Sequence, residues 1–591
     1  MISKVHQFLK RSIDYVQGKL TDKQFLIFSS ILVGLSAGLA AVVLKFFVHY
    51  INITVTNYAD SFRGFFVFTL LPIVGIAITV LFIRFVLRNR LKRGSAEIVY
   101  AIAKKSSNIA PEEMYAHVAT SAVTVGFGGS VGLESPMVST GAAIGSNYAQ
   151  SYKLNYKERT ILLACGASAG IAAAFNSPIA GVLFAIEVIL ADVTASAFLP
   201  LIIAAASGAL ISKIVLQESV LLTFSLQQPF DYVNVPYYIV LGILAGFVSL
   251  YYAYTYTWIE HKMEAWKNPV KRVLLGGVIL CALLILFPPL FGEGYESIKT
   301  LSHLRGGELI RNSLLQGAIT NEWMLLVFLG LLAFVKVIAT AVTIGSGGNG
   351  GNFGPALFVG AYLGYSFSKL VNMLGLGPIP ENNFTLVAMA GILSGIFYSP
   401  LTGIFLIAEI TGGYGLMIPL MIVAAFSSMV VRYFEPLSME AKRLSTKLKL
   451  STENRDKYLL SKLDLSEMIE DNFTKVSQGG TLRDLVTAVS QSKRNTYPVL
   501  NKENQLVGLV YLDNVRDIIF KTEKYDNITI EDIMSKPEGA IHPNESLHTV
   551  LKKFDDTNQW NLPVVENDKY VGFVSKSSIL AKYRTELLKS V

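Results

Sequence analysis

Two cysteines are all that 591 residues contain, Cys165 and Cys281, and both stand in apolar stretches. So placed, they argue against a disulfide framework and against a thiolate metal site. Histidine is scarce as well. None of the seven (His6, His49, His117, His261, His303, His542 and His548) forms the His-Glu-x-x-His spacing of a helical zinc hydrolase, so an intramembrane metalloprotease, or any enzyme, is not expected. Charge is the third shortage. Asp, Glu, Lys and Arg make up 16% of the chain, where soluble domains carry about 25%. Much of the chain must therefore meet something other than water. The same shortage disfavours a cation transporter, whose sites want several inward carboxylates.

What the chain has instead is hydrophobic residues, 52% of the total. They gather in runs at Phe25–Leu44, Phe65–Phe82, Tyr237–Tyr252, Val273–Phe291 and Trp323–Ile344. Several approach the ~20 residues that cross a bilayer, and others are shortened or broken by Gly and Pro, which predicts tilted and discontinuous helices. The net charge of +8 does not point to nucleic acid. Basic residues collect in "LKRSIDYVQGKLTDK" before the first run and in "MEAKRLSTKLK" after the last. That placement fits a multi-pass protein of the cell (inner or plasma) membrane with both termini cytoplasmic. A cleavable signal is not expected, because the first apolar run starts near residue 25 and is too long for one.

Near residue 450 the sequence turns from apolar and Gly-rich to charged. We read residues 1–24 as a cytoplasmic N-terminal segment, 25–449 as an all-α membrane domain, 450–462 as a linker and 463–588 as a cytosolic α+β module. The module repeats internally. "NTYPVLNKENQLVGLVYLDNVRDII" matches "WNLPVVENDKYVGFVSKSSILAKY", each reading strand, turn, strand, helix after an amphipathic helix, with Pro498 and Pro563 opening the first strand. This resembles a tandem pair of CBS motifs. The resemblance implies an adenine nucleotide as a candidate ligand, contacted by Ser575 and Ser578. The family's Ser/Thr-x-x-Asp pattern is poorly kept, however: "YLDN" lacks the hydroxyl and "SKSS" lacks the acid. A structural dimerisation module leads, and no cofactor is expected to be required.

The membrane part repeats too. Placed without a gap over "GSGGNGGNFGPALFVGAYLG" (345–364), the stretch "GFGGSVGLESPMVSTGAAIG" (126–145) agrees at eight of twenty positions. Downstream, "SPIAGVLFAIEV" matches "SPLTGIFLIAEI" in the same order. Two homologous halves, expected to be inverted, predict a transporter-type fold with its site at the repeat interface. Pro136 and Pro355 each suit the start of a helix, where a missing N–H costs nothing. The Gly-rich turns before them, at Gly132 and Gly351, let a ligand approach the free amides, which with the helix dipole attract an anion. Glu134 is the sole ionisable residue of its segment. A carboxylate at such a place can stand where a permeating anion would sit, blocking when ionised and releasing when protonated. Its other reading is an N-terminal cap.

At this point "GSVGLESP" resembles the Gly-x-Glu-x-Pro motif of the CLC chloride channels and anion/proton exchangers, and "GGNFGP" resembles their Gly-x-Phe-x-Pro motif. "AAAFNSPIAGVLFAIE" is similar to the stretch after their gate, and the likeness spans nearly all of residues 25–445. The resemblance implies a homodimer with one anion path per subunit, Glu134 as external gate, and Asn352 and Phe353 as backbone amide donors.

Three departures stand out. In "KRGSAEIV" the family's anion-lining serine falls at Arg93, with Ser95 two places on. Either Ser95 supplies the hydroxyl, Arg93 puts a cation near the path, or Arg93 is a snorkelling surface residue. In "LSMEAKRL" Glu440 falls where the inner-gate tyrosine belongs, and an ionised carboxylate cannot donate to an anion. Exchangers also carry a second, proton-loading glutamate just after the position of Glu187, where this chain has Val188. That loss tilts the expectation toward a chloride channel gated by Glu134; an anion/proton antiporter is the alternative. Glu187 and Glu409 hold equivalent repeat positions, which favours structural roles for both.

Overall fold

A computed structural model describes residues 19–61, 65–190, 195–216, 229–303, 306–412, 414–448, 465–543, 545 and 547–589. Most of the expected N-terminal segment and all of the linker 450–462 lie outside them. The chain divides into two compact units, Met1–Leu444 and Ser445–Val591.

The first unit is helical. Its elements are α1 (Asp22–Ser61), α2 (Phe65–Phe85), α3 (Ser95–Lys104), α4 (Glu113–Gly126), α5 (Glu134–Ser151), α6 (Tyr156–Phe175), α7 (Pro178–Phe184), α8 (Ala195–Leu216) and α9 (Val235–Glu264). They continue as α10 (Pro269–Leu286), α11 (Tyr295–Ser302), α12 (Glu322–Gly345), α13 (Phe353–Met373), α14 (Glu381–Phe397), α15 (Pro400–Ile410), α16 (Met417–Phe434) and the first residues of α17 (Met439–Leu448), within which the boundary falls. Among the described residues, eight helical segments are long and apolar enough to cross a membrane. The motif helices α5 and α13 are not among them; protein surrounds them on nearly every side.

The sequence repeat reappears as repeated packing. On α5 and α6, Gly141 and Gly166 bring the two backbones together, and a Cβ on either would overlap the other's carbonyl. On α13 and α14, Gly364 lies against the Phe384 carbonyl in the same way. Helices α6 and α14 both end on a left-handed residue, Asn176 (φ 55) and Tyr398 (φ 58). Asn tolerates that region and Tyr seldom enters it; Tyr398 is tethered there by its hydroxyl, which donates to the Glu435 carbonyl at 2.7 Å. Proline then opens α7 and α15.

Glu187, in a π turn that continues α7, accepts hydrogen bonds from the Leu401 and Thr402 amides at the start of α15, at 3.0 and 2.8 Å. Glu409, at the end of α15, accepts from the Ile179 and Ala180 amides at the start of α7, at 3.1 and 2.9 Å. Each carboxylate satisfies orphan donors of the other's helix. The exchange requires the two helices to run antiparallel, as halves of opposite orientation do.

The second unit holds a three-stranded sheet, β1 (Val476–Ser477), β2 (Thr496–Leu500) and β3 (Leu506–Tyr511), and a hairpin of β4 (Asn561–Glu566) and β5 (Lys569–Ser575). Its longer helices are α18 (Leu482–Gln491), α19 (Leu547–Thr557) and α20 (Lys576–Lys589). Both copies carry a register shift at matching places, Val499/Leu500 and Val564/Val565. Pro498 and Pro563 stand third in their strands rather than first. The ladder accommodates them because the residues opposite, Leu509 and Phe573, spend their N–H and C=O groups on Ser535 and Glu470. No donor is asked of either proline.

Candidate functional site

The two Gly-rich turns meet inside the first unit. The Gly132 amide donates to the Gly351 carbonyl at 2.9 Å, and the Gly351 amide donates back to Gly132 at 2.8 Å. Immediately beyond this antiparallel bridge, α5 starts at Glu134 and α13 at Phe353, so two sets of unspent helix amides lie side by side. Pro136 and Pro355 are the third residues of these helices, still within the turn where an N–H has no intrahelical partner. A Cβ on Gly132 would stand 2.9 Å from the Gly354 nitrogen and press on the Glu134 carboxylate. Only glycine leaves room for that side chain to fold back.

Glu134 is 2% exposed. One carboxylate oxygen accepts from the Gly354 amide at 3.2 Å, and the other accepts from the Tyr295 hydroxyl. The acid of one repeat is thus held by the helix start of the other. Of the expected donor region it is Gly354, one residue past Asn352 and Phe353, whose amide reaches the carboxylate.

A narrow cavity reaches from Glu134 to Glu440 and is lined also by Arg93, Ser95, Asn352 and Phe353. The residues singled out at the first two departures therefore come together with the two motifs, whereas Val188, at the third, does not line this cavity. Arg93 does not snorkel away: its guanidinium donates to the Gly347 carbonyl at 2.9 Å, beside the second Gly-rich turn. Glu440 shares the wall with Arg443, which pairs with the buried Glu260 at 2.7 Å. The guanidiniums of Arg93 and Arg443 stand against the carboxylates at this end of the cavity.

Position 440 lacks a phenol, yet the cavity has one. Tyr256 of α9 lines it, stacked on Tyr252, whose hydroxyl donates to Asn352 Oδ1 at 3.4 Å. The spacing "YYAYTYTW" puts both rings on one face of α9, a signal that sequence reasoning passed over. It also passed over "FGEGYES", which supplies Glu293 and Tyr295, and the lone cation of an apolar helix, Lys336. Lys336 is fully buried and donates to Ser130 Oγ at 2.8 Å and the Gly292 carbonyl at 2.9 Å.

Ser575 and Ser578 are in the other unit. Ser575 donates to Glu470 at 2.9 Å and accepts from the Ser578 amide at 3.0 Å, while Ser578 Oγ returns a bond to the Ser575 carbonyl. Both hydroxyls hold the start of α20.

Residues 74–432 match the voltage gated chloride channel family, and residues 530–584 match the CBS domain. Chloride channel protein CLC-f of Arabidopsis thaliana is 27% identical over 67% of this chain, which spans 56% of that protein's length. The H(+)/Cl(-) exchange transporter ClcA of Vibrio cholerae is 28% identical over 67% of this chain and 84% of its own. Among solved structures, a slow cyanobacterial Cl-/H+ antiporter superposes with a TM-score of 0.63 at 19% identity, covering 74% of this chain and all of that one. A eukaryotic CLC transporter covers 94% of this chain and 97% of its own, with a TM-score of 0.59 at 17% identity. With the family match extending over more than half of the sequence, and the helix start of one repeat holding the acid of the other, the protein is a multi-pass membrane member of the CLC chloride channel and transporter family that carries a C-terminal CBS domain.

Proposed function

We propose that the protein carries chloride across a membrane as a proton-coupled exchanger with Glu134 as its gate. The seat of Glu134 carries this reading: an acid of one repeat occupies the amide end of a helix from the other. Ionised, the carboxylate holds the place that a chloride needs. Protonation removes the charge that the Gly354 amide and the Tyr295 hydroxyl stabilise, so the side chain leaves and an anion replaces it. In this scheme Ser95, Asn352 and Phe353 line the anion's route, and Arg93 raises the local chloride concentration.

Exchange is preferred to the expected channel on two grounds. Relatives named as exchangers match over most of their own length. Glu440 also faces the same cavity as Glu134, which puts a carboxylate at each end of the route although position 188 is valine. Tyr256 and the Arg443–Glu260 pair stand beside Glu440. The second reading, a passive channel, is favoured by Val188 itself.

The protein works in this scheme as a homodimer with a path in each subunit. Exposed apolar side chains on α7, α15 and α16, among them Ile179, Leu401, Ile418 and Met421, offer a surface for a second copy. We place both termini in the cytoplasm, and we read the copy preceding the matched CBS domain as its tandem partner on the strength of the shared strand irregularity. Ser575 and Ser578 serve helix packing rather than a nucleotide. Chloride flux into proteoliposomes with a simultaneous pH readout tests the central claim. Uphill proton movement driven by a chloride gradient is expected; chloride flux with no proton movement returns the protein to the channel reading.

A further inference from the structure

Glu134 is not the only carboxylate at the meeting of the two helix starts. Glu293 lies in the turn before α11 and accepts a hydrogen bond from the Leu133 amide at 3.1 Å. Leu133 is the N-cap residue of α5. The two helix starts are therefore each occupied by an acid: α13 by Glu134, and α5 by Glu293. The arrangement is built rather than incidental. Glu293 and Tyr295 are separated by one glycine, Gly294, at φ 94, so a single tight turn aims Glu293 at Leu133 and the Tyr295 hydroxyl at Glu134. The turn is pinned on both sides. The Gly292 amide donates to the Gly128 carbonyl at 3.0 Å, and the buried Lys336 ammonium holds the Gly292 carbonyl at 2.9 Å and Ser130 Oγ at 2.8 Å.

The charges around Glu293 come from several elements. Glu134 on α5 acts on it with like charge, Lys45 on α1 and Lys336 on α12 with opposite charge, and Tyr295 on α11 lies close to both acids. Two ionised carboxylates side by side repel, and the two lysines offset that repulsion. A proton arriving at either acid weakens the hold of its lysines and relieves the other.

We infer that Glu293 is a second gating carboxylate, in series with Glu134, which occupies the α5 helix start as a stand-in for an anion and must be displaced or neutralised before chloride passes. The inference rests on the reading of Glu134 as a gate and extends it to a pair. It does not depend on whether transport is coupled to protons, because its readouts concern anion flux alone. A pair of acids makes release of the path depend on two protons, and so steepens the dependence of flux on pH.

The test uses the full-length protein in liposomes, with chloride as the probe and flux measured against pH and chloride concentration. Glu293→Gln keeps an oxygen for the Leu133 amide and removes the charge; Glu293→Ala removes both. In Glu293→Gln the pH profile is expected to flatten from a two-proton to a one-proton slope. In Glu293→Ala the KM for chloride is expected to fall by about tenfold, the low end of what a charge-assisted hydrogen bond is worth. Glu293→Asp keeps the charge but withdraws it by one methylene, and is expected to retain the steep profile with a lowered KM. Wild-type slope and KM in both the Gln and Ala variants would overturn the inference, as would a shallow one-proton slope in the wild type. If the Ala variant fails to assemble, the Gln and Asp pair decides alone. Glu134→Gln measured alongside separates the two claims: a pH-insensitive Glu134→Gln with an unaltered Glu293→Gln sinks the second gate and leaves the first standing, whereas an unaltered Glu134→Gln sinks the gate reading itself.

Discussion

Tyr295→Phe isolates one interaction of the gate. The hydroxyl of Tyr295 donates to one oxygen of Glu134, and the Gly354 amide serves the other at 3.2 Å. Replacing the phenol by a phenyl ring removes the first bond and leaves the second. The ring itself stays useful: it meets Phe175 edge-on at 6.5 Å, a contact that Phe preserves. A hydrogen bond to a charged group contributes about 1.5–3 kcal/mol. The bond favours the ionised, seated carboxylate, so its loss lets protonation win at a lower proton concentration. At about 1.4 kcal/mol per pH unit, the midpoint of chloride flux against pH is expected to move upward by about one to two units. The maximal flux at acid pH should change little, because the protonated side chain has already left its seat. Reconstituted protein and a chloride electrode suffice, with flux recorded from pH 4 to pH 9. A midpoint unchanged within about 0.3 units would refute the reasoning, since a bond of this kind cannot be worth so little at a 2% exposed acid. A midpoint shifted to lower pH would be worse, for it would mean that the phenol stabilises the open state.

The other expectations follow from neighbouring contacts. Glu134→Gln should flatten the pH profile of chloride flux to the one-proton slope that Glu293 leaves, and should no longer move protons; an unaltered wild-type profile would count heavily against the gate. Glu440→Gln should abolish proton movement while chloride flux persists, and coupled transport at wild-type stoichiometry in that variant would remove Glu440 from the proton route. Glu187→Ala and Glu409→Ala each strip two amides of their acceptor and should each destabilise the protein by about 1 kcal/mol, read as a lower thermal midpoint in detergent. Unchanged midpoints in both would show that the reciprocal caps contribute nothing.

What the sequence determined by itself was everything that repeats or that water and lipid dictate. Apolar runs interrupted by Gly and Pro announced a membrane bundle with broken helices, because backbone polar groups in lipid must be satisfied within helices. The register between "GSVGLESP" and "GGNFGP" announced two halves, and the proline in each announced a helix start, because proline fixes φ and needs no donor there. The equal standing of Glu187 and Glu409 foretold a shared structural task, and the reciprocal caps are that task.

Contacts between distant segments were decided only in three dimensions. Nothing local to "FGEGYES" says that its acid and its phenol face two neighbouring residues of one motif more than 150 residues away; that depends on the Gly292 turn being clamped by Lys336 from another helix. Nothing in "LSMEAKRL" says that the missing phenol returns from α9. Arg93 had three readings because a side chain's direction is set by the packing of its helix neighbours, and it was the Gly347 carbonyl that fixed it. Periodicity and turn chemistry are properties of neighbours along the chain, and a site is a property of neighbours in space.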